Sequence, residues 1–181
     1  MSFPIADTIS NRFRGKLIKI FLQALGCEIG ENLICSHWPS FRRIPIGNLV
    51  IGSNVQIGKE IHFEPLPTGE IIIGDNCIFR ENIVICSGRS VVLENGISVG
   101  KNVTIRDDSH NNSKDALIRE QGWNFSPVNI RSFVNIGDDS CILRGSSIPE
   151  GVSILKESVV LESSMLIKNS AYQGIPVIQK K

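Results

Sequence analysis

Apolar residues recur along most of the chain with a period of six. Ile51, Ile57 and Phe63 form one set of three, Ile73, Phe79 and Ile85 a second, and Leu93, Val99 and Ile105 a third. The last run is unbroken, through Ile130, Ile136, Ile142, Ile148, Ile154, Val160 and Leu166. Glycine follows the apolar residue at Gly30, Gly52, Gly58, Gly74, Gly100 and Gly137. Counted from the apolar member, the fourth place of the hexad holds Asn32, Asn54, Asn76, Asn82, Gly96, Asn102, Asp139, Gly145 and Gly151. These residue types tolerate positive φ, so the pattern predicts one corner per hexad. One inward anchor and one corner in six residues fits neither a helical period of about 3.6 nor the alternation of a strand. It describes flat sides, three of which close a triangular coil, and stacked coils bury their anchors against each other. A sandwich of short strands would instead space its turns about 8 to 12 residues apart.

Grouped in threes, the anchors start coils at Ile51, Ile73, Leu93, Ile130 and Ile148, with Leu166 opening a partial turn. Extra residues appear only after the third anchor. The first insertion spans Glu64 to Glu70, the second includes Ser87, Gly88 and Arg89, and the longest runs from about Asp107 to Pro127. Exposed loops tolerated at random would use all three corners, so a single loaded corner predicts a built edge. The long insertion carries a histidine and a tryptophan, in Asp107-Asp108-Ser109-His110 and Gly122-Trp123-Asn124, and is read as the functional loop.

Residues 5 to 25 follow another rhythm, with Ile9, Phe13, Leu17, Phe21 and Leu25 four apart, which predicts an amphipathic helix. Residues 1–26 are expected to cap a solenoid spanning 27–181, the stripe covering its open end. An alternative role lays the helix on an anionic membrane, with Arg12, Arg14, Lys16 and Lys19 meeting head groups.

With 181 residues, 41% of them hydrophobic, the chain has the size of one domain. A formal charge of +1 gives no global field that would favour nucleic acid. The five cysteines form no CxxC pair and do not alternate with histidines, so neither zinc nor redox chemistry is indicated. Absence of a secretory pattern and of a long apolar run places the chain in the cytoplasm, at most peripheral on the inner face of the membrane.

The hexads resemble those of the left-handed β-helix, or hexapeptide-repeat, acyltransferases, over roughly residues 28 to 176. That resemblance implies an all-β, left-handed parallel β-helix, a homotrimer, and acetyl-CoA as co-substrate without a metal. Asp108, Ser109 and His110, with Asp115 after them, are similar to the histidine loop of polysaccharide, sialate and galactoside O-acetyltransferases. The similarity implies that His110 is the general base in acetyl transfer to a sugar hydroxyl of a surface polysaccharide or its precursor. The chemistry is consistent, because an imidazole with an ordinary pKa near 6.5 is mostly neutral at cytoplasmic pH and accepts a proton readily. His37 precedes the first clear coil, and His62 sits within a regular hexad. Asp108 or Asp107 would fix the tautomer of His110. No serine or cysteine occupies a nucleophile motif, which favours direct transfer in a ternary complex.

Further roles follow from the same resemblance. Gly137 and Asp138 mark the region expected to supply the oxyanion donor, and CoA is expected in a groove between subunits. Lys168 stands where relatives carry a CoA-contacting lysine, and Gln173-Gly174-Ile175-Pro176 resembles their Gly-x-Pro tail, followed by Lys180 and Lys181. The chain departs from the pattern at Asn135, where relatives often have tryptophan, and at Leu161 and Glu162, where they have small residues. Arg80 falls near the place of an acceptor-side asparagine of galactoside enzymes, and Trp123 is assigned to the acceptor with it. Arg80, Arg89 and Arg106 suit an anionic or phosphate-bearing acceptor, or else pair with Glu81 or Glu94 at the surface. A γ-type carbonic anhydrase would need three histidines on adjoining coils, a spacing that positions 37, 62 and 110 lack. N-acetylation of an amino-sugar nucleotide and a non-catalytic trimeric scaffold remain open.

Overall fold

Every anchor row of the sequence becomes one side of a three-sided parallel coil. The structure, a computed structural model, describes residues 6, 8–111, 113–114 and 117–180. On the first face, strands Glu28–Ile29, Leu49–Ile51, Glu70–Ile73, Ser90–Leu93, Val128–Ile130 and Ser147–Ile148 pair in that order. Their parallel register stacks Ile29, Ile51, Ile73, Leu93, Ile130 and Ile148 directly. The second face stacks Cys35, Ile57, Phe79, Val99, Ile136, Ile154 and Tyr172. The third stacks Phe41, Phe63, Ile85, Ile105, Ile142 and Val160. Leu166 packs, partly buried, over the top of the first row.

Each side buries two positions rather than one. The residue two before each anchor also points inward, as at Val55, Ile61, Cys77, Ile83, Val103 and Val128. In the last coils that place is held by Ser140, Ser146 and Ser158, all fully buried. Burial of a hydroxyl is tolerable only when it is bonded, and each one donates to a carbonyl, Ser146 to Leu143 O at 2.6 Å and Ser140 to Leu155 O at 3.2 Å. Ser158 donates to Lys156 O at 3.3 Å.

The nine fourth-place residues named above all adopt positive φ, between 52° at Asn82 and 73° at Gly145. Glu60, Phe133, Glu157 and Asn169 adopt it too, and three of these are types that do not favour it. The corner asparagines also bond along the solenoid. Asn32 Nδ2 donates to Asn54 Oδ1 and Asn54 Nδ2 to Asn76 Oδ1, at 3.0 and 3.3 Å. A second ladder runs from Asn82 through Asn102 to Asp139, at 2.9 and 2.8 Å.

The insertions do share the corner between the third and first faces, and a fourth joins them. Between Phe41 and Leu49 the first coil carries Arg42 to Asn48 at the same edge. Hexads counted from Ile51 leave this coil out.

The helix spans Ile9–Ala24, with Thr8 as N-cap accepting from Asn11 N at 3.1 Å. It packs on the first coil, but not through the predicted stripe. The buried face is Gly15, Ile18 and Leu22, whereas Ile9, Phe13, Leu17 and Phe21 face out, Ile9 being 90% exposed. The cause is close approach. A Cβ on Gly15 would lie 1.8 Å from Leu33 O, so only glycine lets the helix settle there. Arg14 then donates to Cys35 O at 2.8 Å and Ser36 O at 2.5 Å, covering carbonyls that a terminal coil leaves unpaired. Leu25, the last member of the stripe, is partly buried on the core. At the other end, strands Ala171–Gly174 and Val177–Gln179 form an antiparallel hairpin, and buried Tyr172 accepts from Ile167 N at 2.7 Å.

Candidate active site

The long insertion is an antiparallel arm. Asp108–His110 pairs with Trp123–Phe125, and the register places Asp108 opposite Phe125 and His110 opposite Trp123. Cross-strand neighbours on one face of such a pair touch. Accordingly the rings of His110 and Trp123 lie 3.7 Å apart between centroids at 35°. Phe125 anchors the base of the arm. Its ring lies where a Cβ on Gly88 would stand, 2.0 Å from Cε1, so the arm seats on the preceding insertion only because residue 88 is glycine.

Asp107 is the joint between the two insertions. It is fully buried, and its carboxylate accepts from Gly88 N, Arg89 N and Ser90 N at 2.7, 2.8 and 2.7 Å, and from Ser87 Oγ at 3.2 Å. All its acceptor capacity is directed inward, so Asp107 does not orient His110. Asp108 faces the other way and holds Arg106 in a two-pronged pair, Nε to Oδ1 at 2.6 Å and Nη2 to Oδ2 at 2.9 Å. The bond to Asp108 raises the Arg106 guanidinium further above its ordinary range. No hydrogen bond joins either carboxylate to His110 among the described residues.

Two clefts open on either side of this arm. The first, about 550 Å³, is lined by Arg106, Asp108, Ser109 and His110 from the arm side, facing Leu143, Arg144, Leu161 and Glu162 from the last coils. The second, about 480 Å³, lies toward the first coils, between Arg42 and Arg43, Glu64, Cys86, Arg106 and Trp123. Cys86 Sγ donates to Glu64 Oε2 at 3.1 Å, and burial together with that carboxylate pushes the thiol up to about 12. A thiol held protonated is a poor nucleophile.

The remaining candidates are dispersed. His62 is bonded to Ser40, and His37 lies beside Ser36 in the first coil. Among the described residues no group of three or more His, Cys, Asp or Glu is placed to hold a metal. Arg80, Gly137 and Asp138 sit at the corner between the second and third faces, away from the arm. Gly137 N–H donates to Ile154 O at 2.8 Å in the coil ladder, and Asp138 Oδ1 accepts from Lys101 N at 2.8 Å. Lys168 lines a third hollow, with Glu94, Arg131 and Glu150, at the corner between the first and second faces. Lys180 ends the terminal hairpin, its N–H bonded to Ala171 O at 2.7 Å. Arg89 is exposed, with its backbone rather than its guanidinium held by Asp107. Asp115 and Lys181 fall outside the described residues.

Sequence reasoning passed over Leu143, Arg144, Arg42 and Arg43 as cleft residues. A signal was present. Arg43 and Arg144 each stand two places beyond a third-face anchor, the same place as Asp107 after Ile105.

No protein-family profile matches the chain, and no curated protein sequence does. Solved structures do. The N-acyltransferase AntD from Bacillus cereus, in complex with dTDP and 3-hydroxybutyryl-CoA, superimposes with a TM-score of 0.73 at 21% identity, over 90% of this chain and 87% of that one. A single-site variant of AntD holding dTDP-4-amino-4,6-dideoxyglucose and coenzyme A gives 0.76 at 21% identity, over 90% and 88%. A hexapeptide-repeat-containing acetyltransferase from Vibrio cholerae, complexed with acetyl coenzyme A, gives 0.59 at 16% identity, over 97% and 88%. Stacked hexads, single-corner insertions and these superpositions agree: the chain has the left-handed parallel β-helix fold of the hexapeptide-repeat acyltransferases.

Proposed function

We propose that the protein transfers an acetyl group from acetyl-CoA to a sugar hydroxyl of a surface polysaccharide or its precursor, with His110 as general base. The observation that carries this reading is the position of His110. Its ring is backed by Trp123 and stands at the mouth of the cleft lined by Leu143, Arg144 and Leu161. In the proposed step the acceptor oxygen attacks the thioester carbonyl while an imidazole nitrogen takes the hydroxyl proton. The tetrahedral intermediate then expels the CoA thiolate, which takes that proton from the imidazolium. Protonated Cys86 and the absence of a placed nucleophile among the described residues favour this direct route over an acyl-enzyme.

Likeness to proteins that hold CoA supports the co-substrate, whose pantetheine arm in this scheme follows the coils. Arg144 at the cleft, with Lys168 and Lys180 by the corner between the first and second faces, provides cations for its phosphates. Since Arg80, Gly137 and Asp138 occupy a different corner from His110, all of them serve one site only if a neighbouring chain supplies part of it. A homotrimer does so. The Gly137 amide is bonded to Ile154 O of the next coil, so the oxyanion donor in this scheme is another amide of that corner. Arg42, Arg43 and Arg106 around the second cleft suit a phosphate-bearing acceptor.

A second reading is N-acylation of an amino-sugar nucleotide, favoured by the AntD complex with an amino-sugar nucleotide and CoA. Product chemistry separates the two, because an ester is cleaved by mild base and an amide is not. The test is thiol release from acetyl-CoA with a panel of sugars and nucleotide-linked sugars. His110→Ala is expected to lose at least about a hundredfold in transfer while the unfolding temperature is retained. Unchanged transfer by the variant contradicts the role of His110, and no transfer to any acceptor by the wild-type chain favours a non-catalytic scaffold.

A further inference from the structure

Eight large apolar side chains are exposed together at the end of the solenoid opposite the terminal hairpin: Ile9, Phe13, Leu17, Ile20, Phe21, Trp38, Ile44 and Ile46. Five of them line the outer face of the Ile9–Ala24 helix, and Phe21 meets Trp38 edge to face at 6.1 Å, which extends the patch onto the first coil. Pro45 O lies 3.8 Å from Cys27 Sγ, and Gly47 N bonds Leu25 O at 3.1 Å, so the loop bearing Ile44 and Ile46 is tied to the end of the helix. Monomers rarely leave so large a contiguous apolar area without a partner. Helix burial through Gly15, Ile18 and Leu22 makes this exposure a consequence of the packing, not of a loose terminus.

We propose that this end of the molecule docks on an anionic lipid bilayer, the helix lying in the interface plane. Charge decides for this occupant. The helix carries Arg12, Arg14, Lys16 and Lys19 and no acidic residue, and Arg12 and Lys16 are exposed along one border of the apolar stripe. Arg42 and Arg43 add exposed positive charge on the adjoining loop. An apolar band with a basic flank and an aromatic at its rim is the composition that settles at a head-group boundary. A second copy of this chain fits less well, because a two-fold pairing sets the same basic border against itself. The five apolar positions span about three turns, enough to bury the stripe to the depth of the acyl boundary.

The test is flotation of the full chain with vesicles of phosphatidylcholine, alone or mixed with phosphatidylglycerol. Wild-type protein is expected to float with the anionic vesicles and to be released by salt. The combined variant Phe13→Gln, Leu17→Gln, Phe21→Gln should keep its helical circular dichroism and lose more than about a hundredfold in partitioning. Arg12→Gln with Lys16→Gln should lose about thirtyfold on anionic vesicles only, and this variant carries the test should the triple one not fold. Flotation that is absent, or equal for neutral and anionic vesicles, overturns the proposal. So does self-association that the triple variant abolishes while vesicles bind neither protein.

Discussion

Asn54 does two things at once: it turns a corner at φ 58°, and it accepts from Asn32 and donates to Asn76 in a ladder along the solenoid. Glycine preserves the first role and alanine neither, so Asn54→Gly should cost about 1 to 2 kcal/mol and Asn54→Ala about 1 kcal/mol more, measured by denaturant unfolding. The reverse order would show that the backbone at this corner is unstrained. Asp107 is a second residue whose duty is structural. Replacing it with alanine orphans the amides of Gly88, Arg89 and Ser90, and a loss above about 3 kcal/mol is expected. Full stability with lost transfer would instead make Asp107 a catalytic group. At this scale the sequence was legible wherever residue type advertised its backbone, as at the nine Asn, Asp and Gly corners. At Glu60, Phe133 and Glu157, also fourth in their hexads, the period alone marked the corner, because these side chains do not favour the left-handed conformation they adopt.

Among the elements, the arm and the helix show what periodicity reveals and what it hides. The arm was marked by an interruption in the hexads, and its histidine and tryptophan stood out by type. Their contact was not visible, since it depends on an antiparallel register fixed by Phe125 over Gly88. Trp123→Ala removes the ring against which His110 rests, and a tenfold to hundredfold fall in kcat, about what misplacement of a reacting group costs, should follow without a change in Tm. An unchanged kcat would show that the imidazole is positioned by other contacts. The helix was recognised as amphipathic, but its apolar stripe was assigned to the wrong side. Spacing reports that a stripe exists, whereas Gly15 against Leu33 O and Arg14 on the strand-edge carbonyls decide which side packs.

For the whole molecule, the triangular coil follows from the anchor rows, because three short strands per coil bury their apolar faces only by stacking. The distribution of the site does not follow from any one row. His110, Trp123 and Arg106 occupy one corner, Arg80, Gly137 and Asp138 a second, and Lys168 a third. On the proposed function one chain holds only a portion of the site, and sedimentation should report an assembly of three 19.9 kDa chains. A stable monomer with full transfer activity would contradict the shared site. The most direct measurement is a crystal structure of the protein with coenzyme A. The proposal requires one acceptor oxygen to fit between the ring and the acyl carbon, so the CoA sulfur should lie within about 6 Å of the His110 imidazole, in the cleft with Leu143 and Arg144. A sulfur held at the Lys168 corner, remote from every His110 in the assembly, would contradict it.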